Sequence, residues 1–259
     1  MGLFRSLIIG LFILAIPVAL ITTTVRFAAS EHRVYDYSVR QYDAASVSGI
    51  PQAELLRANR ELVGYFKGGD PGPLRIEVQD DSGQRVSLFN ARETAHMGDV
   101  RDLFQALFTV QAIAVAAALT LAVLMLVLWP VRALAAAALY GSLLTMGVVG
   151  FTGLVAVTGG FEAAWDQFHF LAFSNDLWRL NPASDHLIQM FPEAFWRDIS
   201  VLIGAFTLLQ ALIISGAATA YLILSRSKEA ATAPPEPRAS LPRPQLPRIA
   251  PPDPRRYVH

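Results

Sequence analysis

Cysteine is absent from the chain, which excludes at once a disulfide framework, a thiolate nucleophile and a cysteine-ligated metal. No glycine-rich loop ends in Lys-Ser or Lys-Thr, so nothing cradles a nucleotide phosphate and an ATP-driven reaction is not expected. There is no excess of charge of either sign: 21 Lys and Arg balance 21 Asp and Glu, and nothing points to nucleic acid as a partner. A Gly-x-Ser-x-Gly elbow is missing too, which leaves a serine acyl-enzyme little support. What is present is apolar. Of 259 residues 53% are hydrophobic and 16% charged, too greasy for an ordinary soluble domain and too charged for membrane spans alone.

Four runs are long enough to cross a bilayer at about 1.5 Å per residue. The first, Leu7 to Thr24, follows Arg5; Ala28-Ala29-Ser30 imitates a signal-peptidase site, but the run exceeds the roughly 7–15 residues of a cleaved signal and reads as an anchor that is retained. The second, Leu103 to Trp129, carries no charge and turns at Trp129-Pro130-Val131-Arg132 into the third, Leu134 to Val157. Gly141, Gly147, Gly150 and Gly153 in that third run predict close helix approach. The fourth is Ile199 to Leu224. Gln111 and Gln210, inside the second and fourth runs, are expected to face the bundle as interhelical hydrogen-bonding groups, each such bond being worth only about 0.6 kcal/mol.

Arg5, Arg132, Arg226 and Lys228 fall on one side of the membrane if both termini are cytoplasmic, and Arg238, Arg243, Arg248, Arg255 and Arg256 in the tail agree. The predicted fold is therefore an all-α membrane protein: transmembrane helix 1 in residues 1–28, an extracytoplasmic loop in 29–102, helices 2 and 3 in 103–158, a second extracytoplasmic loop in 159–198, helix 4 in 199–225 and a cytoplasmic tail in 226–259. That tail, with Pro-Pro-Glu-Pro and Pro-Pro-Asp-Pro, has too few apolar residues for a core and reads as disordered and passive.

The first loop holds an amphipathic helix between Pro51 and Phe66, with Leu55, Leu56, Ala58, Leu62, Val63 and Phe66 at helical spacing and Gly68, Gly69 and Pro71 to stop it. Leu74 to Val78 and Arg85 to Phe89 alternate as strands around the turn Asp80-Asp-Ser-Gly83. A lone hairpin is marginal, so this one is expected to rest on the bundle or the membrane surface.

Chemistry is carried by two clusters. Glu93, His96 and Asp99, three apart at the head of the second span, share a helix face and would set an imidazole between two carboxylates. In the second loop Asp166 and His169 are again three apart, among Trp165, Phe168, Phe170, Phe173, Trp178, Phe191, Phe195 and Trp196. The aromatics are in part an interfacial belt, and the Asn, Asp and His among them also suit a lipid-facing polar pocket. Two histidines with carboxylate neighbours on separate loops resemble an acid/base pair. A zinc site from His96, His169, Glu93 and Asp99 is the competing arrangement, although no His-Glu-x-x-His spacing is present. A charged, solvated helix start is the plainest reading of the first cluster, and a sensor or scaffold without catalysis is the corresponding reading of the whole chain.

At these residues the sequence resembles the bacterial lipoprotein intramolecular transacylases: Arg92-Glu93-x-x-His96-Met97-x-Asp99-Val100 before one span, then Phe168-His169, Phe173-Ser-Asn175-Asp176-x-Trp178-x-Leu-Asn-Pro182-x-x-Asp185-x-Leu-Ile188 and Pro192-Glu193 before the last. The helix from Glu54 to Gly68, with Tyr65-Phe66-x-Gly, fits as well; the likeness covers roughly residues 1 to 225 and leaves the proline-rich tail outside. The resemblance implies transfer of the sn-2 acyl chain of a diacylglyceryl-cysteine lipoprotein to the α-amino group of that cysteine. It implies a bacterial cytoplasmic membrane, a site at the outer leaflet, lipoprotein and membrane lipid as partners, and neither cofactor nor metal. It makes His96 and His169 the catalytic pair, in either order of roles, with Glu93, Asp99, Asp166, Asn175, Asp176, Trp178 and Arg92 as supporting or substrate-binding residues. Asn175 ranks first among groups that could meet an oxyanion, ahead of Arg92 or a backbone amide.

Overall fold

The computed structural model of the protein describes residues 2–68 and 72–232. The helix-stopping Gly69 and Pro71, and the tail beyond residue 232, lie outside those described residues. Among the described residues four helices are long and apolar enough to cross a membrane: α1 (Gly2–Ser30), α5 (Ala91–Leu128), α6 (Val131–Gly159) and α9 (Glu193–Thr232). Between α1 and α5 come α2 (His32–Gln41), α3 (Ala44–Ser48), α4 (Gln52–Phe66) and the strands β1 (Glu77–Gln79) and β2 (Arg85–Ser87). Between α6 and α9 lie α7 (Phe161–Ala172) and α8 (His186–Met190). The chain is thus an all-α membrane protein with one small hairpin.

Helix is the only way these apolar runs can satisfy their backbone N–H and C=O groups in lipid, and their outward side chains confirm the solvent they expect: Ile113, Leu119, Val127, Val201 and Ile213 are all exposed. Inside the bundle α1 packs on α5, α6 and α9, and α6 packs on α9. The turn between α5 and α6 follows from Pro130, which pushes Trp129 into extended backbone (φ −140°, ψ 161°) and then caps the next helix. At the other end Gly160 takes φ +85° and lets α7 begin one residue after α6 stops. Both amides bridge helices: Arg26 donates to Gln111 at 2.8 Å and Gln111 donates to Thr23 at 3.2 Å, while Gln210 donates to the Thr24 hydroxyl at 2.8 Å.

Of the four glycines expected to allow close packing, one does. A Cβ on Gly141 would lie 2.8 Å from Ile16 Cγ1 and 3.2 Å from the Ile13 carbonyl, whereas positions 147, 150 and 153 have nothing within 4 Å. The contact belongs to α1 against α6, where Gly141 and Ser142 are buried.

The segments outside the spans form a cap with its own core. Leu55, Leu62 and Phe66 of α4, Ile76 and Val78 around β1, Leu88 after β2, and Met190 and Phe195 from the last third of the chain are all nearly sealed from solvent. Strand pairing is antiparallel with Val78 opposite Val86, and each strand is three residues long, shorter than the alternation suggested. Asp80 shapes the turn by accepting from the Ser82 and Gln84 backbone N–H groups, both at 2.9 Å, and Gly83 supplies φ +81°. The hairpin packs on another part of the cap. Its seat is α4, where Glu54 accepts from Gln79 N at 3.1 Å and Arg57 donates to the Glu77 carbonyl.

Helix boundaries also run past the apolar stretches. α5 starts at Ala91, twelve residues before Leu103, and α9 starts at Glu193, so the two clusters of the sequence analysis stand on helices continuous with, or next to, the spans.

Replacing Gly141 by Ala is expected to lower the thermal midpoint in detergent by an amount corresponding to about 1–3 kcal/mol, the usual range for overpacking, while Gly147→Ala leaves it unchanged.

Candidate active site

Site construction begins at Asn90. Its side-chain oxygen accepts from the backbone N–H groups of Arg92 and Glu93 at 2.9 and 3.0 Å, and Glu93 Oε2 accepts from Asn90 N at 2.8 Å, closing a capping box at the head of α5. The other oxygen of Glu93 leaves the helix altogether and accepts from Leu187 N at 2.6 Å, ninety-four residues away. Asn90 Nδ2 donates to Asp185 at 3.0 Å, and Asp185 in turn accepts from Asn181 N at 2.7 Å. Asp185 is nearly buried, and the Asn181 N–H, then Ser184, Asn90 and the nearby Arg92, hold its carboxyl below the usual carboxylate range. Two more ties follow: Arg92 donates to the backbone carbonyls of Leu177 and Asp176, and Asn175 Nδ2 donates to Asp99 at 2.9 Å. Residues 175 to 187 are thereby strapped across the first turns of α5.

This corrects the expected face. Glu93 does not flank His96; it is sealed from solvent (1% exposed) and spent on two backbone donors, because a buried carboxylate must find full hydrogen-bonding and the neighbouring strap offers it. Asp99 keeps the helix neighbourhood of His96 and holds Asn175. Asn175 in turn gives one amide hydrogen to Asp99, and its side-chain carbonyl accepts from Leu177 N at 3.0 Å. Arg92 is likewise engaged with two carbonyls. Asp176 pairs with Arg179 at 3.3 Å on an exposed edge, and no hydrogen bond joins Asp166 to His169 among the described residues.

The two histidines do meet. His96 on α5 and His169 on α7 have ring centroids 6.2 Å apart and are 6% and 7% exposed. Aromatic rings enclose them. Trp178 stacks on His169 at 4.7 Å, Trp165 meets it edge-on at 4.7 Å, and Phe173 touches both imidazoles, at 5.2 Å from His96 and 5.7 Å from His169. Trp165 is itself stacked on Trp196 at the start of α9, so the nest is tied to the last span.

His169 Nδ1 lies 2.8 Å from the Trp165 carbonyl. A carbonyl only accepts, so the ring proton is on Nδ1 and Nε2 is left with its lone pair. Burial pushes the pKa of His169 below its ordinary value, against the opposing pull of the Trp165 carbonyl and of Asp166. His96 Nδ1 is buried and has no hydrogen-bond partner among the described residues, and the same is true of Trp178 Nε1. The chamber therefore presents neutral imidazoles and unused hydrogen-bonding atoms in an apolar wall. Such a set can move a proton between two atoms of a bound molecule. Among the described residues no three His, Asp or Glu side chains converge in a cluster that could hold a metal ion.

Sequence reasoning missed the mooring role of Asn90. A capping-box signal was there to be read in Asn90-Ala-Arg-Glu93, but the long-range half of the network, to Asp185 and Leu187, has no local signature. His186 is a third ordered histidine nearby, donating from Nδ1 to the Leu88 carbonyl at 2.6 Å and so locking the strap to the end of the hairpin.

With this geometry in hand, comparison with known proteins is specific. The family model of the lipoprotein intramolecular transacylase Lit matches residues 10–196. A comparison with curated protein sequences gives no match. Among solved structures, the membrane-integral lipoprotein intramolecular transacylase Lit from Bacillus cereus is similar with a TM-score of 0.74 at 19% identity, over 88% of this chain and 100% of that one. Two histidine variants of the same Bacillus cereus protein, one to arginine and one to alanine, give TM-scores of 0.69 and 0.71 at the same identity, over 88% of this chain and 96% and 97% of theirs. At that identity the likeness is one of fold.

Nitrogen-15 NMR of histidine-labelled protein in detergent is expected to show His169 as the neutral Nδ1–H tautomer at pH 7, taking up a proton only below its ordinary value near pH 6.5. A ring that titrates above that value would contradict the site as described.

Proposed function

The chain belongs to the lipoprotein intramolecular transacylase family, and on that premise we propose that it moves the sn-2 acyl chain of a diacylglyceryl-cysteine lipoprotein to the α-amino group of the same cysteine. The observation that carries this reading is the convergence of His96 and His169, from helices far apart in sequence, in one buried aromatic chamber. The product is an N-acyl lipoprotein bearing a lyso glycerol group.

Proton accounting favours two neutral imidazoles. An α-amine with a pKa of about 7.7–8.0 is mostly protonated at neutral pH, and attack requires the free base. As nitrogen bonds to the ester carbonyl carbon, His169 Nε2 takes a proton from it; as the carbonyl–oxygen bond of the glycerol ester breaks, that oxygen takes a proton back from the imidazole pair, with His96 serving the leaving side. Counted from the free amine, one proton leaves nitrogen and one reaches oxygen, and no nucleotide is consumed; the ammonium form first gives up its extra proton to water. Burial makes the imidazolium formed in between a stronger acid than usual, which speeds its discharge onto the alkoxide. Amine and ester belong to one molecule, so holding them at attack distance removes most of the entropic part of the barrier.

The basic residues near the span ends support cytoplasmic termini, and with that orientation the cap and the histidines would lie at the outer leaflet of the bacterial cytoplasmic membrane. In this reading Phe168, Phe170 and Leu171, exposed on α7 next to His169, face acyl chains.

Expressed in a bacterium with a reporter lipoprotein, the protein is expected to shift one acyl chain from glycerol to nitrogen, as read by fragmentation of the amino-terminal peptide in a mass spectrometer. His169→Ala and His96→Ala are each expected to reduce the yield by roughly 10²–10⁴-fold. An unchanged diacylglyceryl peptide with wild-type protein in the membrane would overturn the reading.

A further inference from the structure

A base for the amine and a proton for the leaving oxygen leave one need unmet: the ester carbonyl oxygen gains negative charge during attack, and a fixed donor aimed at it is commonly the largest electrostatic contribution in acyl transfer. The two side chains that the sequence offered for that task are exposed and serve to tie the strap down. Asn175 gives one amide hydrogen to Asp99 and accepts from Leu177 N on its carbonyl, and Arg92 gives two of its N–H groups to the carbonyls of Asp176 and Leu177.

One donor in the chamber is idle. Trp178 Nε1 is shut off from solvent with no acceptor among the described residues, on a ring stacked over His169 at 4.7 Å and tilted 26° from it. Leaving a buried N–H in that state carries a desolvation cost that disappears when an acceptor arrives. The indole is not free to swing to another partner. Its neighbours Asp176 and Leu177 are pinned by Arg92, its face carries the Arg179 guanidinium at 4.8 Å, and the Phe170 ring meets it edge-on at 5.3 Å. Stacking keeps the N–H within a ring's breadth of the imidazole that receives the amine proton.

Resting on the transacylase reading above, we propose that Trp178 Nε1–H donates a hydrogen bond to the carbonyl oxygen of the ester under attack, and that this bond strengthens as the tetrahedral oxyanion forms. The indole then touches the reacting atoms and has two roles, holding the His169 ring on one face and stabilising the oxyanion through its edge.

The roles separate by substitution. Trp178→Phe keeps an aromatic ring for His169 and removes the donor; benzothienylalanine at the same position keeps the whole bicyclic shape and exchanges N–H for sulfur. With purified enzyme and a synthetic diacylglyceryl-cysteine peptide in micelles, both are expected to lower kcat by about 10²-fold with KM within a few-fold of wild type. The acid limb of the rate profile stays where it was, because the surroundings of His169 are kept, and the thermal midpoint does not fall. A folded isostere variant with wild-type kcat overturns the proposal, as does one whose loss appears only as a shifted acid limb, which assigns Trp178 to positioning His169 alone. If wild-type enzyme itself transfers nothing, the transacylase reading fails, a result distinguishable from equal activity of wild type and variants.

Discussion

One buried carboxylate organises the functional end of this protein. Glu93 accepts a hydrogen bond from Asn90 N on one oxygen and from Leu187 N on the other, so the residue that caps α5 also fixes the segment leading into α9. Bonds from backbone N–H to a charged acceptor are worth about 1.5–3 kcal/mol each, and cutting either one buries an orphan. The strap between α7 and α8 has no regular structure of its own to hold it, and its fixed points are this carboxylate, Asp185 on Asn90, Arg92 on two carbonyls and Asn175 on Asp99. His169 is brought to His96 because the helix that carries it, α7, is pinned between Gly160 at one end and that strap at the other.

Around the imidazoles the chemistry is set by what is withheld. Aromatic rings remove water, which lowers the basicity of His169 and strengthens every remaining electrostatic interaction in the chamber. The Trp165 carbonyl fixes the ring proton of His169 on Nδ1 and leaves the lone pair on Nε2. The nitrogens His96 Nδ1 and Trp178 Nε1, buried with no hydrogen-bond partner among the described residues, are a cost to the protein as it stands.

Much of the architecture was legible in the sequence because lipid imposes a simple rule. Four apolar runs of span length read directly as four helices, and the spacing from Leu55 to Phe66 gave α4. The meeting of His96 and His169 was expected from the motif, and the rings are indeed neighbours. What could not be read was pairing across the chain. The three-residue spacing of Glu93 and His96 suggested a local couple, yet a backbone N–H ninety-four residues on outcompetes the imidazole for the carboxylate. Glycines gave a similar lesson: all four in the third run look alike in sequence, and only Gly141 sits where α1 crosses closely. The tie of Asn175 to Asp99, seventy-six residues apart, is another pairing with no local signature.

The chain has no cysteine, which makes its central claim directly measurable. In a double variant with His96→Cys and His169→Cys, a short homobifunctional thiol reagent applied to membranes should join the α5 and α7 fragments after proteolysis, as seen by mass spectrometry. Adding Glu93→Ala should weaken that linkage sharply while both thiols remain reactive to a monofunctional reagent. Thiols that are modified singly and never linked, or a linkage indifferent to Glu93, would contradict the account.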